Sequence, residues 1–134
     1  MSQENVELSY RATDAFNRRD LDAFLAFMDP DVEFTTLILG LEGGGSYRGH
    51  EGVRGWWEKL FSVFPDFSSE IEEVRDLGDV TIMRVRQRGQ GMESDAPTDQ
   101  TAWLVTEVGA NKTAVWWGVF RSEAEALEAA GLRE

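Results

Sequence analysis

The chain has 134 residues and carries 13 basic against 25 acidic side chains, a formal net charge of -12. Its length, with 42% hydrophobic and 11% aromatic residues, fits a single folded domain over residues 1–134, and its acidity disfavours nucleic acid and anionic membranes, which need a basic surface. The lack of cysteine excludes disulfides and thiolate metal sites, and no apolar run approaches membrane-spanning length.

The N-terminal MSQENVEL lacks the basic and apolar regions of a signal peptide, so a cytoplasmic location is expected. Residues 3–18 read as a first helix that buries Val6, Ala12 and Phe16, with Tyr10 as a further candidate. Asp20 sits where an N-cap belongs, before Leu21, Phe24, Leu25, Phe27 and Met28, which recur at helical steps. Asp29-Pro30-Asp31 should stop that second helix, because proline disfavours helix at the preceding residue. Val32, Phe34, Thr36 and Ile38 then alternate with Glu33, Thr35 and Leu37 at strand period.

Leu41 to Gly49 is a glycine-rich loop, and no Gly-Lys-Ser/Thr follows to make it a phosphate cradle. Residues 51–64 form a third helix carrying Val53, Trp56, Trp57, Leu60, Phe61 and Phe64, ended by Pro65. Strands follow over 67–74, 80–88, 98–108 and 113–120. In the second of these, Arg84, Arg86 and Arg88 share one side with Val80 and Ile82, and Thr81, Met83, Val85 and Gln87 share the other. The last, TAVWWGVF, is apolar on both faces, as a strand covered on both sides should be. Ser122 and Glu125 form a capping box for a short final helix, which Gly131 is expected to end.

Three helices followed by antiparallel strands define an α+β domain. The order resembles the nuclear-transport-factor-2-like superfamily, and within it the SnoaL-like group of polyketide cyclase-like proteins. The resemblance rests on Ala15-Phe16-Asn17, Asp20-Leu21-Asp22, Asp29-Pro30-Asp31-Val32, Tyr47-Arg48-Gly49 with Gly52-Val53, Trp116-Trp117 and the tail from Glu125 to Leu132. It covers nearly the whole chain and implies a cone: a strongly bent antiparallel sheet (a cystatin-like roll) wrapped by helices, with a pocket at one end. It also implies a homodimer through the outer sheet face, and no cofactor.

The chemistries of the superfamily do not carry over residue by residue. Where ketosteroid isomerases have a tyrosine, a carboxylate base and a protonated acid, the resemblance aligns Ala12, Thr36 and Trp103. Limonene epoxide hydrolases use two aspartates and an arginine; one of the aspartates would fall near Gly118, while Arg84 or Arg86 could supply the guanidinium. Polyketide cyclases of the group use a pocket acid, for which Asp99 is the one strand candidate.

The ligand-binding candidates are Thr36, Tyr47, Trp56, Arg84, Arg86, Gln100, Trp103 and Trp116. Arg84, Arg86 and Arg88 would either grip a ligand oxyanion or pair with Glu70, Glu72 and Glu73 on a solvated face. His50, the sole histidine, is the candidate general base, and no metal-ligand spacing is present. Adjacent tryptophans on a strand point to opposite faces, so an inward Trp116 would leave Trp117 for the dimer interface. Three functions remain open: capture of a small, mostly apolar molecule; a cofactor-independent isomerase, cyclase or hydrolase acting on a polycyclic or terpenoid-like substrate; and a dimeric interaction domain whose cone is filled by its own side chains.

Overall fold

The computed structural model describes residues 3–35, 46–90 and 97–133. The elements run α1 (Gln3–Asn17), α2 (Leu21–Ala26), β1 (Met28–Thr35), β2 (Ser46–Arg48), α3 (Gly49–Val63), β3 (Ser68–Asp76), β4 (Val80–Gln90), β5 (Pro97–Val108), β6 (Ala114–Phe120) and α4 (Glu123–Arg133). They form the expected α+β cone. One curved six-stranded sheet, in the order β2-β1-β6-β5-β4-β3, carries α1, α2 and α3 on its inner face.

Two turns lock the helices to the sheet. Asp20 caps α2, its carboxylate accepting from the Ala23 N–H at 3.1 Å. Just before it, Arg19 takes a left-handed φ of 63° and donates to the carbonyls of Pro65 and Phe67 at 2.8 and 2.7 Å. Its guanidinium also lies 3.8 Å from the centre of the Phe61 ring. Asn17 pairs through its amide with both backbone groups of Ser69, at 2.8 and 3.0 Å, so the end of α1 is tied to the start of β3.

Helix α2 ends at Ala26, earlier than the proline signal implied, and β1 begins at Met28 with Pro30 inside it. The strand tolerates a residue without an N–H because its ladder to β6 is irregular between Met28 and Glu33. The Asp29 carboxylate accepts the Asp31 N–H at 2.9 Å across the same stretch. The β1–β6 pairing is parallel, with Phe34 opposite Trp117, whereas the other four pairings are antiparallel as expected.

Strand β2 falls within the stretch read as a glycine loop; three residues show no periodicity, and only the partner strand makes them a strand. Tyr10 is 51% exposed and is not a core residue. Helix α4 continues through Gly131, which has no positive φ. Its capping box is present: the Ser122 hydroxyl accepts from the Glu125 N–H and donates to the Glu125 carboxylate.

Helix α4 creates a second, smaller core on the outside of the sheet. Ala126 and Ala130 pack there with Val80, Ile82 and Val105, flanked by Trp103, Trp116 and Phe120. Both faces of the sheet are therefore apolar at that end, which explains why TAVWWGVF has no polar side. Among the described residues, no helix is long and apolar enough to cross a membrane.

Candidate functional site

Strand parity decides what the cone encloses. Along β4 the inward residues are Thr81, Met83, Val85 and Gln87. Their antiparallel partners on β5 are Thr106, Leu104, Ala102 and Gln100, and the β5–β6 ladder passes the inward face on to Trp117 and Val119. Helix α1 contributes Asn5, Leu8, Ala12 and Phe16 from the open side of the sheet, and α3 contributes Trp56.

Between these residues lies a cavity of about 100 Å³. Its wall is aliphatic and aromatic, with the hydroxyls of Ser9, Thr13, Ser69, Thr81 and Thr106 and the amides of Asn5 and Gln87 as polar points. No aspartate, glutamate, histidine, lysine or arginine is among the described residues that line it. The Asn5 amide donates to the Gly78 carbonyl at 2.8 Å, which anchors the start of α1 to the β3–β4 turn.

The aromatic wall is a continuous stack. Trp117 lies against Phe34, Phe34 in turn against Tyr47, and Trp56 meets Trp117 edge-on at 5.4 Å between ring centres. Phe16 stacks on Trp56 at 6.0 Å and meets Trp57 and Phe67 edge-to-face. Such ring pairs fix each other's orientation as well as burying area.

The sequence-derived candidates separate accordingly. Trp56 lines the cavity. Gln100 is exposed and reaches inward only through its amide, which donates to the Gln87 side chain at 3.0 Å. Tyr47 packs against the inner core, stacked on Phe34, but does not line the cavity; it borders a surface recess with Phe34, Arg48 and Trp116. Thr36 lies outside the described residues, as do the glycines at 43–45.

Arg84, Arg86, Trp103 and Trp116 face away from the cavity, each having the opposite parity to an inward neighbour. Arg84 pairs with Glu72 at 3.2 Å and with Glu73 at 3.4 Å. Arg86 donates to both carboxylate oxygens of Asp99, at 2.7 and 3.1 Å. Hydrogen bonds from Arg86 hold the Asp99 carboxyl below its ordinary range, and the same pairing raises Arg86. Arg88 lies 3.9 Å from Glu70 and from Asp99. The arginine row is thus a cross-strand charge network on the outer face, and Asp99 is part of it rather than a pocket acid.

The tryptophan pair on β6 is the reverse of the expectation. Trp117 points inward and is 5% exposed, so it is unavailable to a dimer interface; Trp116 points outward. An apolar strand covered on both sides gives no polar residue from which to read its parity. Trp103 and Gly118, aligned by the resemblance with catalytic acids, also face outward, and their inward neighbours Ala102, Leu104, Trp117 and Val119 carry no acid. Ala12, aligned with the catalytic tyrosine, does line the cavity.

His50 is not a lining residue; its Nε2 lies 3.0 Å from the Met28 carbonyl oxygen, joining the start of α3 to β1. Among the described residues no group of three or more histidines and carboxylates could hold a metal ion. Sequence reasoning missed two inward residues above all: Trp117, whose face is set by its register with β5, and Asn5, which is placed by its contact with Gly78.

The family model for the SnoaL-like domain matches residues 10–124. The chain therefore belongs to the SnoaL-like domain family, within the nuclear-transport-factor-2-like superfamily. Solved structures agree on the fold. An NTF2-like protein of unknown function from Burkholderia pseudomallei K96243 is 22% identical, with a TM-score of 0.80 over 96% of this chain and 97% of that one. TerC, co-crystallised with polyporic acid, is 18% identical, with a TM-score of 0.78 over 96% and 98%. A protein of ketosteroid isomerase-like fold from Catenulispora acidiphila DSM 44928, in complex with trimethylamine, is 14% identical, with a TM-score of 0.77 over 93% and 92%. No curated protein matches the chain.

Proposed function

We propose that this protein binds a small, neutral, mostly apolar molecule inside the cone, without transforming it. One observation carries the reading: an apolar, partly open cavity whose described lining holds no titratable group. A neutral ligand gains from burial there, whereas an ion would have no counter-charge. Isomerase and cyclase chemistry needs an acid or base within reach of the substrate, and His50 is engaged elsewhere with Met28. Two neighbours of the fold, TerC and the Catenulispora protein, were crystallised with small organic molecules, which supports capture as a use of the scaffold.

Size narrows the ligand. At about 100 Å³ the cavity is below the roughly 150 Å³ of an apolar cavity that takes up benzene. It is further below the ~300–1,000 Å³ of sites for drug-sized ligands. That volume favours a molecule of one small ring over a polycyclic one.

Thermal unfolding with methylcyclopentane and cyclopentanone tests this. Binding to the folded state raises Tm with probe concentration, and Ala12→Phe, which fills the cavity from α1, should abolish the rise. A flat Tm up to the solubility limit, or a rise that survives Ala12→Phe, would overturn the reading. Cyclopentanone incubated in D₂O with the protein should exchange its α-hydrogens no faster than in buffer; faster exchange would favour the enzyme.

The homodimer through the outer sheet face stands as a second proposal, with Trp103 and Trp116 in place of the inward-facing Trp117. Both are partly buried beside α4 and retain exposed ring surface. Sedimentation at high micromolar concentration tests it, and a species of 15.1 kDa would overturn it.

A further inference from the structure

Three buried side-chain polar atoms have no hydrogen-bond partner among the described residues: Trp56 Nε1, Trp117 Nε1 and Asn5 Oδ1. All three residues line the same cavity. Trp56 is 2% exposed and Trp117 5%. The great majority of buried polar groups in folded proteins are paired, so two unpaired donors on one wall call for an explanation.

The indole N–H can only donate. The neighbours of these two rings are aromatic: Phe16 against Trp56, and Phe34 against Trp117. They offer no oxygen. The two tryptophans themselves are in edge contact, so the donors belong to adjoining rings. Asn5 Oδ1 is an acceptor and cannot satisfy them both from its place beside the β3–β4 turn, where its amide is held by Gly78.

We propose that Trp56 and Trp117 form a two-donor site for a single oxygen of the bound molecule, so that the ligand is a small neutral carbonyl compound. The inference rests on the binding reading above and specifies its ligand. A carbonyl oxygen has two lone pairs and accepts two N–H donors, and it brings no hydrogen that would itself need an acceptor. A carboxylate would enter a wall whose described residues hold no cation, and an ammonium one whose described residues hold no anion.

Two probes of similar shape separate the possibilities: cyclopentanone, and methylcyclopentane, which lacks the oxygen. In ¹H–¹⁵N spectra of the labelled protein, the indole resonances of Trp56 and Trp117 are identified by their loss in Trp56→Phe and Trp117→Phe. Both should move downfield with cyclopentanone and not with methylcyclopentane. Each phenylalanine variant should bind the ketone about three- to tenfold more weakly, the range of one net hydrogen bond, and the hydrocarbon no more weakly than before. Equal movement of the indole resonances with both probes, or parallel loss of both affinities in the variants, would overturn the donor pair. Should a variant fail to fold, the wild-type spectra decide alone. Binding of the hydrocarbon without the ketone would sink this inference and leave the binding reading standing; binding of neither would sink both.

Discussion

Phe34 on β1 and Trp117 on β6 stack with ring centres 4.3 Å apart and planes 10° from parallel, at directly paired positions of the parallel ladder. The stack joins the edge hairpin of the sheet to its centre and forms part of the aromatic wall around the cavity. Trp117→Ala should cost about 3–5 kcal/mol in urea unfolding, through lost transfer energy and the void left behind. Trp117→Phe keeps a ring against Phe34 and should cost less. A double-mutant cycle with Phe34→Leu should give a coupling of about 0.5–1.5 kcal/mol.

Glycine substitutions on the two sides of the domain should differ in sign. A Cβ on Gly89 would sit 3.2 Å from Phe67 Cα, a backbone atom that cannot swing aside, so Gly89→Val should destabilise by about 1–3 kcal/mol. Gly55 lies exposed in α3 with nothing within 4 Å of where a Cβ would stand, and Gly55→Ala should stabilise by about 0.4–1 kcal/mol. Chemical denaturation of the two variants checks both.

Replacing the outer arginines should not touch the cavity. Arg84→Ala and Arg86→Ala remove partners of Glu72, Glu73 and Asp99 on the far side of the sheet. Cyclopentanone affinity should be unchanged in both variants, measured by the same Tm titration. A large loss would mean that the outer face communicates with the interior.

The Arg86–Asp99 pair predicts a one-sided pH dependence. The folded-state pKa of Asp99 is depressed, chiefly by hydrogen bonds from Arg86. Its contribution to stability is then fully present above its unfolded value, ordinarily about 3.9, and is lost as pH falls through the lower folded value. Asp99→Asn should flatten only that acid limb of a stability–pH profile and leave the neutral range unaltered.

Arg19 holds three segments together from a left-handed backbone position. Its partial burial lowers its pKa, yet the guanidinium remains charged throughout the accessible pH range. Arg19→Ala leaves the carbonyls of Pro65 and Phe67 without their donor and should destabilise by about 1–3 kcal/mol, read by urea unfolding.

Much of this architecture was legible from local chemistry. Asp20, Ser122 and the apolar spacing of α3 each impose a local geometry that the fold keeps, whereas α1 keeps only Ala12 and Phe16 of its expected buried side. The alternation of arginines with Thr81, Met83, Val85 and Gln87 grouped the residues of β4 by face, but left open which face the cone encloses, so Arg84 and Arg86 stood as ligand candidates although they lie outside. The site was less legible. On β6 both faces are apolar, since α4 covers the outside and the cone the inside, so Trp116 and Trp117 were indistinguishable by character. Which of the two reaches the interior is fixed by register with β5, a long-range relation that spacing within one strand does not contain. The inward role of Asn5 likewise depends on a contact with Gly78, far away in the chain.

The parallel pairing of β1 with β6 also sets an order of assembly. Strands β3 to β6 can zip as successive local hairpins, but β1 emerges from the ribosome early and its interior partner emerges near the end. Closing so long a loop is slow relative to hairpin formation. In the folded chain Trp117 covers both Phe34 and Trp56, so without β6 these two rings lose a common packing partner. A chain truncated before β6 would keep its three inner helices but lose the strand that joins β1 to the rest of the sheet, and with it the Trp117 wall of the cavity.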